Sequence, residues 1–350
     1  MNNVATHVMS FHLRTFLGHV KFHLGFFATE GALSFQIYPL FWKAVGLLEM
    51  SCNLQVIGAV CDGASPNRKF FKMHSKIDGS GKRDVTYRTT NLYDRSRFIW
   101  FFSDYPHLMK TSRNCLFNSG FGDTFPRRMW NNGKFLVWRH IRDILALNTQ
   151  GPKVVPKMTE EHINLSSHSK MKVNLAVQTL SETNAKFLFS DKFGPAHHGT
   201  AEFCRKMNKF FDIMNVRHKK EYIEKLKWDN RPFESPDDDR LQWLENDFLK
   251  YFADWEKSIA ARTGFEEKEK EKMFISRQTM EGIKITVHSV VECVKFLLSC
   301  GMEYVLKQKD LPRISWNFTL ACNGPVVQAM ITLLSNNLVG TIVLSERVEN

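Results

Sequence analysis

The chain has 350 residues, of which 43% are hydrophobic and 13% aromatic, with Phe present 29 times; that is enough apolar surface to offset ordering entropy, and it excludes a disordered chain. A formal net charge of +12 favours anionic partners (nucleic acid, nucleotide or an acidic membrane surface) without choosing among them. The cysteines at 52, 61, 115, 204, 293, 300 and 322 are scattered and form no Cys-x-x-Cys pair, so neither a disulfide framework nor a zinc module is signalled and a reducing compartment is expected.

No basic segment, apolar core and small-residue cleavage site can be separated near the amino terminus, so export is not expected. Residues 4–13 and 20–28 are β-rich, with partial alternation of polar and apolar side chains, and predict neighbouring strands. Between Ser34 and Met50, Phe35, Tyr38, Phe41, Val45 and Leu48 recur at helical spacing, with Pro39 tolerable only inside the first turn. Leu54 to Cys61 is a short apolar run closed by Asp62-Gly63 and followed by Ser65-Pro66-Asn67; it predicts a buried central strand and then a helix near 67–74. Arg97 to Ser103 predicts another strand, followed by Asp104 and a helix with Pro106 in its opening turn. Strand, strand, helix, strand suits a mixed sheet crossed by a helix.

From residue 120 the pattern turns helical, with helices expected at 133–147, 169–188, 200–216, 219–228, 238–262 and 279–299. Pro152, Pro156, Gly194-Pro195 and the run Arg231 to Pro236 break them, and Asp237-Asp238-Asp239 favours a helix N-terminus. The charge run Glu266 to Lys272 reads as a solvated face or linker, and Cys293 and Cys300, seven apart on an apolar helix, read as core. Ile314 to Ser345 carries no charge, but Asn317, Asn323, Gln328, Asn336 and Asn337 would be costly in hydrocarbon, so no membrane span is expected.

The carboxyl ends of strands in an open α/β sheet form the crevice where ligands bind, and a carboxylate there can hold a hard cation such as magnesium. Asp62 stands at such an end, which leaves two readings open: a magnesium ligand, or a cap for the helix beyond Gly63. Asp104 follows the next strand, and Lys110 and Arg113, one turn apart, can face an anion or form an ordinary basic face. There is no internal repeat, Walker A motif or Gly-x-Gly-x-x-Gly fingerprint, and Gly79-Ser80-Gly81-Lys82 is too short for a P-loop. His197-His198 and the amino-terminal histidines lack metal-ligand spacing.

Six stretches taken together, Ala5 to Val8, Lys21 to Ala28, Val60 to Phe71, Phe102 to Lys110, Pro156 to Ile163 and Lys170 to Val173, resemble the P-element-type DNA transposases and their THAP-domain relatives, in motif order as well as content. The resemblance implies an α/β fold, an incomplete RNase H-like core, with a mostly α-helical insertion domain. It divides the chain into residues 1–118 (first part of the core), 119–275 (GTP-binding-type insertion), 276–309 (return segment) and 310–350 (divergent tail). It also implies magnesium and GTP as cofactors, DNA and guanine nucleotide as partners, a possible homo-oligomer, no membrane association, and the nucleus as location.

In such enzymes three carboxylates hold two metal ions that activate the attacking oxygen and stabilise the leaving one. The resemblance makes Asp62 the second acid of that set and Asp104 a supporting acid, and assigns nucleotide binding to Lys157, Ser181 and Asp212, with Asn148 standing where an acid is expected. The first and third acids and the zinc-binding THAP module have no match, and after Lys309 the likeness stops, as if the tail were a replacement unlike a folded end of the core. The expectation is a catalytically defective transposase remnant whose ancestral activity is DNA cleavage and strand transfer. The alternative is a non-enzymatic nuclear DNA- or GTP-binding or interaction protein.

Overall fold

The computed structural model describes residues 6–15, 21–77, 84–148, 155–216, 218–306 and 338–348. In chain order the main elements are β1 (His7–Thr15), β2 (Lys21–Thr29), α1 (Ser34–Gly46), β3 (Leu54–Cys61), α2 (Ser65–Lys72), β4 (Arg88–Thr90), β5 (Phe98–Ser103), α3 (Tyr105–Phe117), β6 (Met129–Asn131), β7 (Lys134–Leu136) and α4 (Trp138–Asn148). They continue with α5 (Glu160–Ile163), α6 (Ser167–Met171), α7 (Val173–Thr179), α8 (Glu182–Leu188), α9 (His198–Met214), α10 (Glu221–Glu224), α11 (Asp239–Trp243), α12 (Lys250–Ala260), α13 (Glu267–Lys272), α14 (Arg277–Ser299) and β8 (Leu338–Val348). The chain divides into two compact units. The first is Met1–Asp104 with His288–Cys293 and Asp310–Asn350, and the second is Tyr105–Val287 with Val294–Lys309.

The first unit is built on a six-stranded sheet in the order β2-β1-β8-β3-β5-β4. β3 runs parallel to both of its neighbours, β8 and β5. A strand with parallel partners on both edges belongs to the sheet interior, which is why Leu54 to Cys61 is nearly continuously apolar. β1 instead alternates, with Met9, Phe11 and Leu13 buried, and pairs antiparallel with β2 on one edge and β8 on the other. Residues 338–348, inside the stretch expected to be a replaced tail, are therefore a central strand of the sheet; the backbone hydrogen bonds open on both β1 and β3 draw that segment in.

One face of this sheet is covered by α1 and α2. Phe41, Phe70, Phe71 and Phe101 pack there, the rings of Phe71 and Phe101 stacking at 4.6 Å. His74 is buried among them, its Nδ1–H donating to the Phe70 carbonyl at 2.9 Å while Nε2 has no partner. Burial lowers its pKa to about 4. Two carboxylates tie the rest of the unit together. Glu49 accepts from Val56 N at 2.9 Å and Asn91 Nδ2 at 2.7 Å and pairs with Arg97. Glu292, in the part of α14 that belongs to this unit, accepts from Tyr87 Oη at 2.6 Å and Trp100 Nε1 at 3.1 Å and pairs with Arg88.

Several expectations need correction. Pro39 lies well inside α1 rather than in its first turn; the carbonyl its missing N–H would have engaged belongs to Phe35, a residue 63% exposed and open to water. Residues 133–136 are not helical. Asn132 and Gly133 adopt φ of 46° and 84°, the two-residue turn that Asn-Gly favours, and close a hairpin between β6 and β7 before α4 begins. The helix expected over 169–188 is three short ones, broken at Lys172 and at Leu180-Ser181, where Ser181 caps α8. That over 219–228 shrinks to α10 and a 3₁₀ turn at Trp228–Asn230. Cys293 is buried as expected, but Cys300 is exposed just beyond α14. The run Glu266 to Lys272 forms the solvated helix α13. The Gly79–Lys82 stretch, the side chain of Asn148, Pro152, Cys322 and most of the charge-free 314–345 run lie outside the described residues. Among the described residues no helix is long and apolar enough to cross a membrane.

The second unit is a helical body whose core includes Phe203, Phe210, Phe248, Phe252 and Trp255, with Phe210 and Phe248 stacked at 4.8 Å. Two arginines, Arg113 and Arg240, are fully buried. Arg113, read as able to meet an anion beside Lys110, donates instead to Asn114 Oδ1 at 2.8 Å and the Lys170 carbonyl at 2.9 Å, clamping α3 to α6. Arg240 is held by Asp238 at 2.7 Å and donates to the Asp229 and Pro232 carbonyls at 3.1 and 2.8 Å, so one guanidinium fixes the loop before α11.

Two outcomes follow from this packing. Ile342→Pro removes a donor from a strand paired on both edges, so urea unfolding should show a loss of about 3 kcal/mol or more. His74 titrates near 6.5 when unfolded and at about 4 when folded, so the unfolded chain takes up the proton first. Its contribution is whole above pH 6.5 and is lost as pH falls toward 4, on the order of 3 kcal/mol, and His74→Phe should flatten that part of the stability–pH curve.

Candidate functional site

In the first unit Asp62 follows the last residue of β3. Its Oδ1 accepts from Ala64 N at 2.9 Å and from Asn67 Nδ2 at 2.8 Å, so the carboxylate organises the turn into α2 whatever else it does. Pro66 stands in the first turn of that helix, where its missing donor costs nothing. Asp104 leaves the adjacent parallel strand: Cys61 pairs with Ser103, and Asp104 N donates to the Cys61 carbonyl at 2.8 Å. The two acids thus leave the same end of the sheet from neighbouring strands.

On the other edge of β3, Val60 pairs with Val343. Beyond that pair the sequence of β8 continues Leu344-Ser345-Glu346. Among the described residues no group of three or more His, Cys, Asp or Glu is placed to hold a metal ion. Two magnesium ions bridged by carboxylates need more oxygen ligands than Asp62 and Asp104 supply, so the described residues do not fit a two-metal centre.

In the second unit Lys157 precedes α5, Ser181 stands at the start of α8, and Asp212 lies on α9. Ser181 caps α8, its Oγ accepting from Asn184 N at 3.3 Å. Asn184 Nδ2 in turn reaches Met158 Sδ at 3.3 Å, beside the exposed Lys157. From the next residue, Glu182 N donates to Asn208 Oδ1 at 3.1 Å, and Asn208 Nδ2 donates to Asp212 Oδ2 at 2.8 Å. One set of hydrogen bonds thus runs from Ser181 through Asn184 to Met158, and another from Glu182 through Asn208 to Asp212.

Asp212 is buried on α9, and Lys227 Nζ lies 2.7 and 2.8 Å from its two oxygens. Asn230 Nδ2 closes the end of the helix, donating to the carbonyls of Asp212 and Asn215 at 3.0 Å each. Burial raises the pKa of the neighbouring Asp229, and the Asp212 charge adds to the rise. Sequence reasoning missed Asn208, Lys227 and Asn230. Asn208 was within reach, four residues before Asp212 on one helix, whereas Lys227 and Asn230 come from a later turn and carry no local signal. A separate cavity of about 650 Å³, lined among others by Phe125, Trp138, Arg142, Asp143 and Glu160, includes none of Lys157, Ser181 and Asp212.

Two family models match the chain: a TNP-like RNase H N-terminal domain over residues 1–75 and a TNP-like GTP-binding insertion domain over residues 106–227. The transposable element P transposase of Drosophila melanogaster is 36% identical over 124 residues, which is 34% of this chain and 15% of that protein. The DNA transposase THAP9 of Homo sapiens is 28% identical over 207 residues, 57% of this chain and 22% of that protein; the matches thus take in less than a quarter of either relative's length. Among solved structures, the Drosophila P element transposase strand transfer complex shares the fold with a TM-score of 0.64 at 24% identity, covering 85% of this chain and 62% of that one. A mixed sheet with a helical insertion, matched in that order by an RNase H model and a GTP-binding insertion model, makes this chain a relative of the P-element-type transposases.

Proposed function

We propose that these 350 residues are a transposase remnant that binds guanine nucleotide and DNA in the nucleus and does not by itself cleave or join DNA strands. The observation that supports this reading is the sheet end: Asp62 and Asp104 leave neighbouring strands, and among the described residues no group of three or more His, Cys, Asp or Glu is placed to hold a metal ion. In-line displacement at phosphorus needs both the attacking and the leaving oxygen stabilised, and one or two carboxylates leave that clamp incomplete. Asp62 then serves chiefly as the acceptor that holds Ala64 and Asn67 in place.

Retained nucleotide binding is supported by the second unit. A nearly buried carboxylate such as Asp212 can accept from the N–H edge of guanine, exposed Lys157 can pair with phosphate, and the Ser181 hydroxyl stands at the start of α8. GTP would add charge and hydrogen-bonding groups that order this corner. The net charge of +12 suits the phosphate backbone of DNA. A wholly non-enzymatic DNA- or GTP-binding protein differs from this reading only in history, and both lack cleavage.

Purified protein should bind a fluorescent GTP analogue in preference to the ATP analogue, with Asp212→Ala weakening binding at least about tenfold, as for a lost charge-assisted hydrogen bond. DNA binding should weaken steeply as salt rises. Nicking of transposon-end DNA with magnesium, abolished by Asp62→Asn, would overturn the assignment as catalytically silent. In thermal melts Asp62→Ala should cost about 1 kcal/mol, as for a lost cap, while Asp62→Asn, which keeps an acceptor oxygen, should cost less.

A further inference from the structure

We infer that Lys227 sets the guanine affinity of the second unit by competing with the base for Asp212. The inference rests on the reading of Asp212 as the acceptor for guanine. The Asp212 side chain is 10% exposed and Lys227 is 46% exposed. Lys227 Nζ lies within 2.8 Å of both carboxylate oxygens, and Asn208 Nδ2 takes a further position on Oδ2. A guanine N1–H and its exocyclic amino group would donate in parallel to those same two oxygens, whereas adenine has no N1–H to offer. The ammonium and the base thus seek the same acceptors.

The two partners in the ion pair are unequal, and that decides which one yields. Lys227, nearly half in water, can exchange Asp212 for solvent at small cost, because exposed ion pairs are weak. Asp212, largely out of water, keeps its two oxygens partnered only if another donor replaces the ammonium. Lys227 is carried on a turn that stands in solvent: Leu226 before it is 91% exposed with φ of 50°, and Trp228 after it is 66% exposed. The Lys227 backbone is fixed by its N–H to the Tyr222 carbonyl at 2.9 Å, so rotation of the side chain alone frees the carboxylate. The neighbouring Lys225 is paired with Glu221 and does not take its place. Asn208 keeps its bond throughout and holds the carboxylate plane for the incoming base.

The test is titration of the whole 350-residue chain with fluorescent GTP and ATP analogues. Lys227→Met should bind GTP about fivefold more tightly, with ATP binding unchanged. Lys227→Arg, which keeps a cation on Asp212, should stay close to the wild-type chain. The gap between Lys227→Met and wild type should narrow as salt rises, since salt already weakens the pair. Lys227→Gln gives the same comparison with a polar side chain, should the methionine disturb folding. Unchanged or weaker GTP binding by folded Lys227→Met and Lys227→Gln overturns the competition while leaving Asp212 as a guanine ligand. Absence of GTP binding by wild type and both variants overturns the nucleotide reading and the role of Lys227 with it.

Discussion

The first unit depends on β3 being paired on both edges. A strand that gives its backbone groups to β8 on one side and β5 on the other has no open edge, and only then does its end become a fixed point from which Asp62 projects. The aromatic layer over α1 and α2, the Glu49 tie to Val56 and the Glu292 tie to Tyr87 and Trp100 all brace strands whose order this pairing sets. Remove the pairing on one side and the bracing groups have nothing aligned to hold.

Much of this was legible from local pattern. The alternation of residues 4–13 and 20–28 and the apolar run of Leu54 to Cys61 correspond to β1, β2 and β3 because strand periodicity and burial are written in adjacent residues. The helices of the second unit were legible as a region but not in their breaks. Ser181 ends one helical pattern by capping the next, and Asn132-Gly133 turns a predicted helix start into a hairpin. Both are single-residue events inside an otherwise helical composition. The place of residues 338–348 was not legible at all, since partners more than 300 residues away in β1 leave no local trace.

The candidate sites divide the same way. Asp62 and Asp104 were found because each follows an apolar strand, which is a local feature. What surrounds them was not, and that the two acids leave neighbouring parallel strands is visible only through pairing register. In the second unit the acid at 212 was named by likeness, yet its chemistry is set by Asn208 and Lys227, one on the same helix and one on a distant turn. A carboxylate that is nearly buried and already doubly engaged is a different ligand from a free one. Its affinity is a difference between two sets of donors, not a property of the acid alone.

Because β8 follows β1 and β3 late in the sequence yet sits between them in the sheet, the order of synthesis runs against the order of assembly. β1 and β3 leave the ribosome with bare edges, and at ordinary elongation rates roughly half a minute passes before the strand that seals them is translated. Throughout that interval the nascent chain exposes two templates for stray strands, and its yield in the cell rests on whatever shields them until β8 emerges.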